Sequence, residues 1–237
     1  MVDDCCKNIS LFQKLGAVGS ATFDSKRTIF MGIAVVLTGF CWILTIVAMA
    51  GSSVDNDTVQ NCAWTYQDAH GYEIYYGTYR FVVDPSSATL PNTNWEDCSS
   101  DMCNDCEDAG VTANNCAVVT FIMLFFFIGL SVARAMPAWD TIMYKATFII
   151  MSLVNILVMI IGMGSWDDQC VDHITDGEVN PGPGLNCYIA TFFFMLFATA
   201  IHLFTPTPSE GSTSETLNND GDADSYKPYE ESFVNEK

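Results

Sequence analysis

The sequence predicts an all-α transmembrane four-helix bundle carrying a small, disulfide-bonded extracellular antiparallel β-sheet. Three observations predict it. There are four long apolar runs, eight of the nine basic residues lie in or beside one set of the intervening segments, and most cysteines lie in the other set. Of 237 residues, 50% are hydrophobic, yet 28 acidic side chains stand against 9 basic ones, a formal net charge of −19. In one soluble domain these figures conflict, because self-repulsion opposes the collapse that an apolar composition favours. Segregating the charges between and after the apolar runs removes the conflict. A cytosolic enzyme is excluded, and so is a nucleic-acid binder, which needs a basic face for phosphates. A disordered acidic chain would lack the 13% aromatic content.

The first run, 29–50, is 22 residues without a charge, enough to cross ~30 Å of hydrocarbon at ~1.5 Å per residue. The others are 113–134, 146–163 (interrupted by Asn155) and 188–204 (with His202 near its end). Lys7, Lys14, Lys26 and Arg27 precede the first run, Arg134 and Lys145 flank the short second connection, and Lys227 and Lys237 lie in the tail. Arg80 is the one cation outside those segments. By the positive-inside rule both termini are cytosolic and the loops 51–112 and 164–187 are external. Residues 1–28 form a cytosolic segment without the apolar core of a cleavable signal, so the first span is expected to direct insertion. The expected membrane is the plasma membrane or another derived from the secretory pathway.

Cysteine usage agrees with this topology. Cys62, Cys98, Cys103, Cys106, Cys116, Cys170 and Cys187 lie in or beside the external loops, where an oxidising compartment lets disulfides persist. Cys170 and Cys187 bracket the second loop and are the simplest pair, a closure contributing ~3 kcal/mol in the chain-entropy model. Five cysteines remain, so one is free, pairs across loops or links to another chain. In the first loop the stretch 72–83 is dense in aromatic and β-branched residues and reads as strand, with an earlier strand at 62–66. The sequon at Asn56 is a glycosylation candidate.

Four spans, internal termini, a long first external loop, a shorter second and a tiny internal connection together resemble the claudin superfamily, which includes peripheral myelin protein-like and channel gamma-subunit-like members. Trp95 and Cys98 form the Trp-x-x-Cys of that family's first loop, with Cys103 or Cys106 as its second cysteine, and Trp64 matches its earlier loop tryptophan. The resemblance implies a disulfide from Cys98 to Cys103 or Cys106 that staples neighbouring strands. It departs at Thr93-Asn94, which replaces the family's Gly-Leu, in the extra cysteines, and in a tail ending at Lys237 rather than Tyr-Val. Tetraspanins place their large loop between spans three and four and carry a Cys-Cys-Gly there. Connexin-type channels have cysteine triplets in both external loops.

The external loops hold sixteen carboxylates against Arg80, a face near −15. Asp97, Asp101, Asp105, Glu107 and Asp108 crowd beside three cysteines and are the candidate ligands for a hard cation such as calcium, against the plainer reading of a solvated surface. A zinc site from Cys98, Cys103 and Cys106 fits neither spacing nor compartment. The tail, 205–237, reads as acidic and disordered; Asp220, Asp222, Asp224 and Glu231 have EF-hand-like spacing without its turn glycine or flanking helices. Cys5 and Cys6 are S-acylation candidates. Within the spans, His202 is expected within reach of water, Asn155 to bond a neighbouring helix, and Gly32 with Gly39 to let helices approach. No nucleophile–base pair, metal motif or phosphate loop is present, so no enzymatic activity and no cofactor are expected. The expected partners are the lipid bilayer, copies of this chain or other membrane proteins, and extracellular cations. The expected role is interaction through the first loop, or alternatively an auxiliary channel subunit or a cation-favouring pore-forming oligomer.

Overall fold

The computed structural model describes residues 27–69, 71–84, 92–136, 140–174 and 178–207. In chain order its elements are α1 (Arg27–Ala50), a short α2 (Asn56–Cys62), β1 (Thr65–Ala69), β2 (Tyr72–Tyr76), β3 (Arg80–Asp84), β4 (Thr93–Asn94), α3 (Asp101–Ala135), α4 (Ile142–Gln169), β5 (Val179–Pro181) and α5 (Pro183–Phe204). The helices α1, α3, α4 and α5 are each long and apolar enough to cross a membrane. Around the bundle, α1 packs on α3 and α5, and α4 packs on the same two.

Each long helix buries a stripe stepping by three and four residues. In α1 it is Met31, Ala34, Thr38, Cys41, Thr45 and Ala48; in α5 it is Gly184, Tyr188, Thr191, Met195, Ala198 and His202. In α3 the same step runs from Cys103 and Cys106 through Ala113, Thr120 and Phe127 to Ser131 and Arg134. A 3.5-residue repeat keeps one seam facing its neighbours, as in left-handed bundles. The seam is made largely of small and hydroxylated side chains, whereas Ile29, Val36, Ile43, Phe126, Ile150 and Leu157 point outward.

The helices overrun the apolar runs. At ~1.5 Å per residue, α3 is ~52 Å long, well beyond the ~30 Å of a bilayer core. It starts at Asp101 rather than 113 because Ser100 caps it, its hydroxyl accepting from the Cys103 N–H at 3.3 Å. Four carboxylates in its first turns break the hydropathy but not the helix. Likewise α4 covers 142–169 against an expected 146–163, with Thr141 as its cap, and α5 begins at Pro183 rather than 188.

The strands form one antiparallel sheet in the order β4-β3-β2-β1-β5. Two details differ from expectation. Cys62 ends a helix rather than opening a strand, and the aromatic stretch 72–83 is a hairpin, β2–β3, turning at Gly77. β5 comes from the second loop and pairs with β1, so both loops build the sheet.

The sheet is held to one end of the bundle by close backbone approach. The Thr78 carbonyl lies so near Gly110 of α3 that a Cβ there would come within 1.8 Å of it, and the Thr78 N–H donates to the Gly51 carbonyl at 3.1 Å. Trp64 donates from Nε1 to the Ala48 carbonyl at 2.9 Å, and its ring packs on Trp166 and Tyr188. Trp95 donates to the Gly77 carbonyl at 3.0 Å and stacks on Tyr76. Both motif tryptophans are thus buried keystones of the sheet–helix core.

Two disulfides close this end: Cys98–Cys103 and Cys106–Cys170. The second corrects the expected Cys170–Cys187 pair. Cys106 on α3 meets Cys170 at the end of α4 with the Cα atoms 4.4 Å apart, whereas Cys187 sits on the opposite side of the loop, in the first turns of α5. Among the described residues Cys41, Cys62, Cys116 and Cys187 are free.

Candidate functional site

Two constellations stand out, at opposite ends of the bundle. The first is the sheet face turned away from the helices. Alternation along β1 and β2 buries Thr65, Gln67 and Tyr76 and turns Tyr66, Asp68 and Glu73 outward. The register then aligns Asp68 opposite Glu73 and Glu73 opposite Asp84. Three carboxylates therefore form one row across three strands, each pair directly opposed. Like charges directly opposed across strands are destabilising. Beside the row, Tyr66 stacks on Tyr75 with centroids 6.4 Å apart, and the Tyr75 hydroxyl donates to Glu73. That hydrogen bond, with partial burial and the neighbouring carboxylates, pushes the Tyr75 hydroxyl up to about 12. The row went unseen in the sequence because it exists only once the register is known.

The expected acidic cluster is dispersed. Asp97, Asp101 and Asp108 are exposed, and Asp105 and Glu107 are half-buried. Asp97 accepts from Asn94 Nδ2 at 3.0 Å, Asp105 faces His173 at 3.7 Å, and Glu107 lines a notch with Glu96, Val54, Tyr79 and Trp95. Among the described residues no three His, Cys, Asp or Glu side chains converge as metal ligands. Asn56 is the first residue of α2, half-buried behind the Asp55 cap, whose carboxylate accepts from the Thr58 N–H and hydroxyl at 3.0 and 2.7 Å. Cys5, Cys6 and the EF-hand-like tail residues lie outside the described residues.

The second constellation is at the other end of the bundle. Asp140, its carboxylate fully shielded, pairs with Arg27 and with Arg134, the latter from Nε to Oδ1 at 3.0 Å. Arg134 Nη1 reaches His202 Nδ1 at 2.8 Å and the His202 carbonyl at 3.0 Å, and Nη2 reaches the Thr205 carbonyl at 3.1 Å. Arg27 Nη2 donates to the Arg134 carbonyl at 2.6 Å. A guanidinium can only donate, so Nδ1 of His202 accepts and its Nε2–H points to Ser131 Oγ, 3.0 Å away. The imidazole lies flat on Phe148, centroids 3.5 Å apart.

This knot corrects the expectation that His202 reaches water: its side chain is fully buried. Arg134, read as a charge flanking the connection, is buried with it, and so is Asp140 from within that connection. Two further expectations fail. Asn155 Nδ2 turns to Met159 of its own helix at 3.9 Å instead of crossing to a neighbour. Gly32 and Gly39 have open space around them, and the close helix contact is made by Gly162 against Cys116.

No family model and no curated protein matches the sequence. The functional reading therefore rests on the residues themselves.

Proposed function

We propose that this chain is a non-catalytic integral membrane interaction protein of claudin-like architecture, associating laterally or across cell contacts through its acidic first external loop. In this reading the four long helices span the bilayer, the sheet end is external and both termini are cytosolic. The inverted polarity of the bundle supports the placement. Bulky aliphatic side chains cover its outside and small or hydroxylated ones its seams, the pattern expected where lipid rather than water is the solvent. Closed disulfides at the sheet end fit an oxidising compartment on that side.

The observation that carries the interaction role is the Asp68–Glu73–Asp84 row. Opposed carboxylates weaken a sheet, and among the described residues no salt bridge to Asp68, Glu73 or Asp84 offsets the row, so it is suited to something outside the molecule. A basic protein surface, or a cation shared between two copies, would neutralise it. The test is a vesicle-clustering and membrane cross-linking assay on the full chain. Asp68→Asn/Glu73→Gln/Asp84→Asn should lower clustering or cross-linking several-fold, with Asp167→Asn/Asp168→Asn/Asp172→Asn as a charge-matched control. Equal behaviour of the two variants and the parent chain would remove the row from the mechanism.

The same acidic face supports a second reading, an auxiliary channel subunit or a cation-favouring pore. A stoichiometric channel partner recovered in mild detergent, or a reconstituted conductance altered by neutralising Asp101 and Asp105, would favour it.

A further inference from the structure

We infer that Cys62 and Cys187 form a third disulfide, a covalent modification site joining the first loop to the outer turn of α5. The chain around Cys62 is pressed onto α5. The Gly184 N–H donates to the Ala63 carbonyl at 2.9 Å and the Gly182 N–H to the Trp64 carbonyl at 2.7 Å. A Cβ on Gly184 would lie 2.4 Å from the Cys62 carbonyl oxygen, so the two backbones touch with no side chain between them. Cys187 follows Gly184 by three residues and therefore lies on the same face of α5, one turn on. Cys62 lies within electrostatic range of the Cys187 thiol. Both are free and half-buried, at the end of the molecule where Cys98–Cys103 and Cys106–Cys170 are closed.

Among the described residues the other free thiols are placed elsewhere: Cys41 is buried within the bundle, its thiol directed at the Thr191 carbonyl, and Cys116 has its Cβ against Gly162 of α4. The inference relies on the sheet end being external, as read above. The chemistry is thiol–disulfide exchange with an acceptor disulfide such as oxidised glutathione. The Cys62 thiolate attacks one acceptor sulfur, giving a mixed disulfide and releasing one acceptor thiol. The Cys187 thiolate then displaces the second, forming the Sγ–Sγ bond. Two protein thiols are oxidised, one acceptor disulfide is reduced to two thiols, and the two thiol protons leave with them. Closure would give the outer ends of all four helices a covalent tie through the loops.

The experiment is alkylation of the full chain in mild detergent, equilibrated with oxidised glutathione and then denatured without reductant. Cys62 and Cys187 should be protected together, and a peptide pair joining them should appear by mass spectrometry and vanish on reduction. In Cys62→Ser, Cys187 should appear as an alkylated thiol or a glutathione mixed disulfide, never in a joined peptide pair, while Cys98–Cys103 and Cys106–Cys170 stay closed. Full alkylation of Cys62 and Cys187 after equilibration would overturn the inference, as would a bond from either to Cys116 or to a second chain. If Cys62→Ser fails to fold, Cys187→Ser supplies the same reading from the other side. An external orientation disproved by protease protection, with the bond still forming under glutathione, would separate failure of the topology from failure of the pairing.

Discussion

Replacing Asp140 by asparagine tests the ionic knot directly. Among the described residues, Asp140 is the carboxylate that Arg27 and Arg134 share, and its side chain has no exposure. Asparagine keeps the shape and one acceptor but removes the negative charge that the two buried guanidiniums share. Removing one partner of a buried pair typically costs about 3–5 kcal/mol, because the surviving charge stays desolvated. For a chain of this size each kcal/mol lowers the melting midpoint by about 2–4 °C, so a fall on the order of 10 °C is expected. The assay is thermal unfolding in mild detergent, followed by tryptophan fluorescence. Arg27→Gln in the Asp140→Asn background should recover part of the loss, since it removes one orphaned charge. An unchanged midpoint for Asp140→Asn, or strict additivity in the double variant, would refute the view that these groups are energetically one unit.

Gly110→Ala should lift the hairpin tip off α3, because the new Cβ meets the Thr78 carbonyl. A loss of about 1–3 kcal/mol is expected, with faster amide exchange at Thr78 while Gly32→Ala, in open space, changes nothing. Spectrophotometric titration should show one tyrosinate forming only near pH 12. The raised value means the folded state holds that proton more tightly, so the stabilisation is complete below the ordinary tyrosine range and is lost as pH rises toward 12. Glu73→Gln should return Tyr75 toward its ordinary range, and a titration indifferent to Glu73 would count against the hydrogen bond.

The helices were legible because hydropathy is local: a run such as 29–50 declares itself without reference to the rest of the chain. Trp64 and Trp95 were found through a resemblance, but not their hydrogen bonds to Ala48 and Gly77, which depend on how the sheet seats. Pairings across the fold left no local trace. Cys106 and Cys170 are 64 residues apart, and Arg27 and Asp140 are 113 apart. Hydropathy treats Arg134 and Asp140 as boundary markers, since an isolated charge cannot enter an apolar medium cheaply. It cannot know that they arrive together and satisfy one another. The Asp68–Glu73–Asp84 row was hidden for a related reason: those residues are scattered over seventeen positions, and only strand register brings them side by side.

The uninterrupted length of α3 has a mechanical consequence. Its first turns carry Cys106 and Gly110, clamped to α4 and to the hairpin tip, and its last turn carries Arg134. An unbroken α-helix offers no hinge between its ends, so a push on the hairpin is expected to reach the far end through α3. There it would meet the guanidinium on which Asp140, His202 and the Thr205 carbonyl all converge. The rod makes the two ends of the molecule a single lever, with the sheet as its handle.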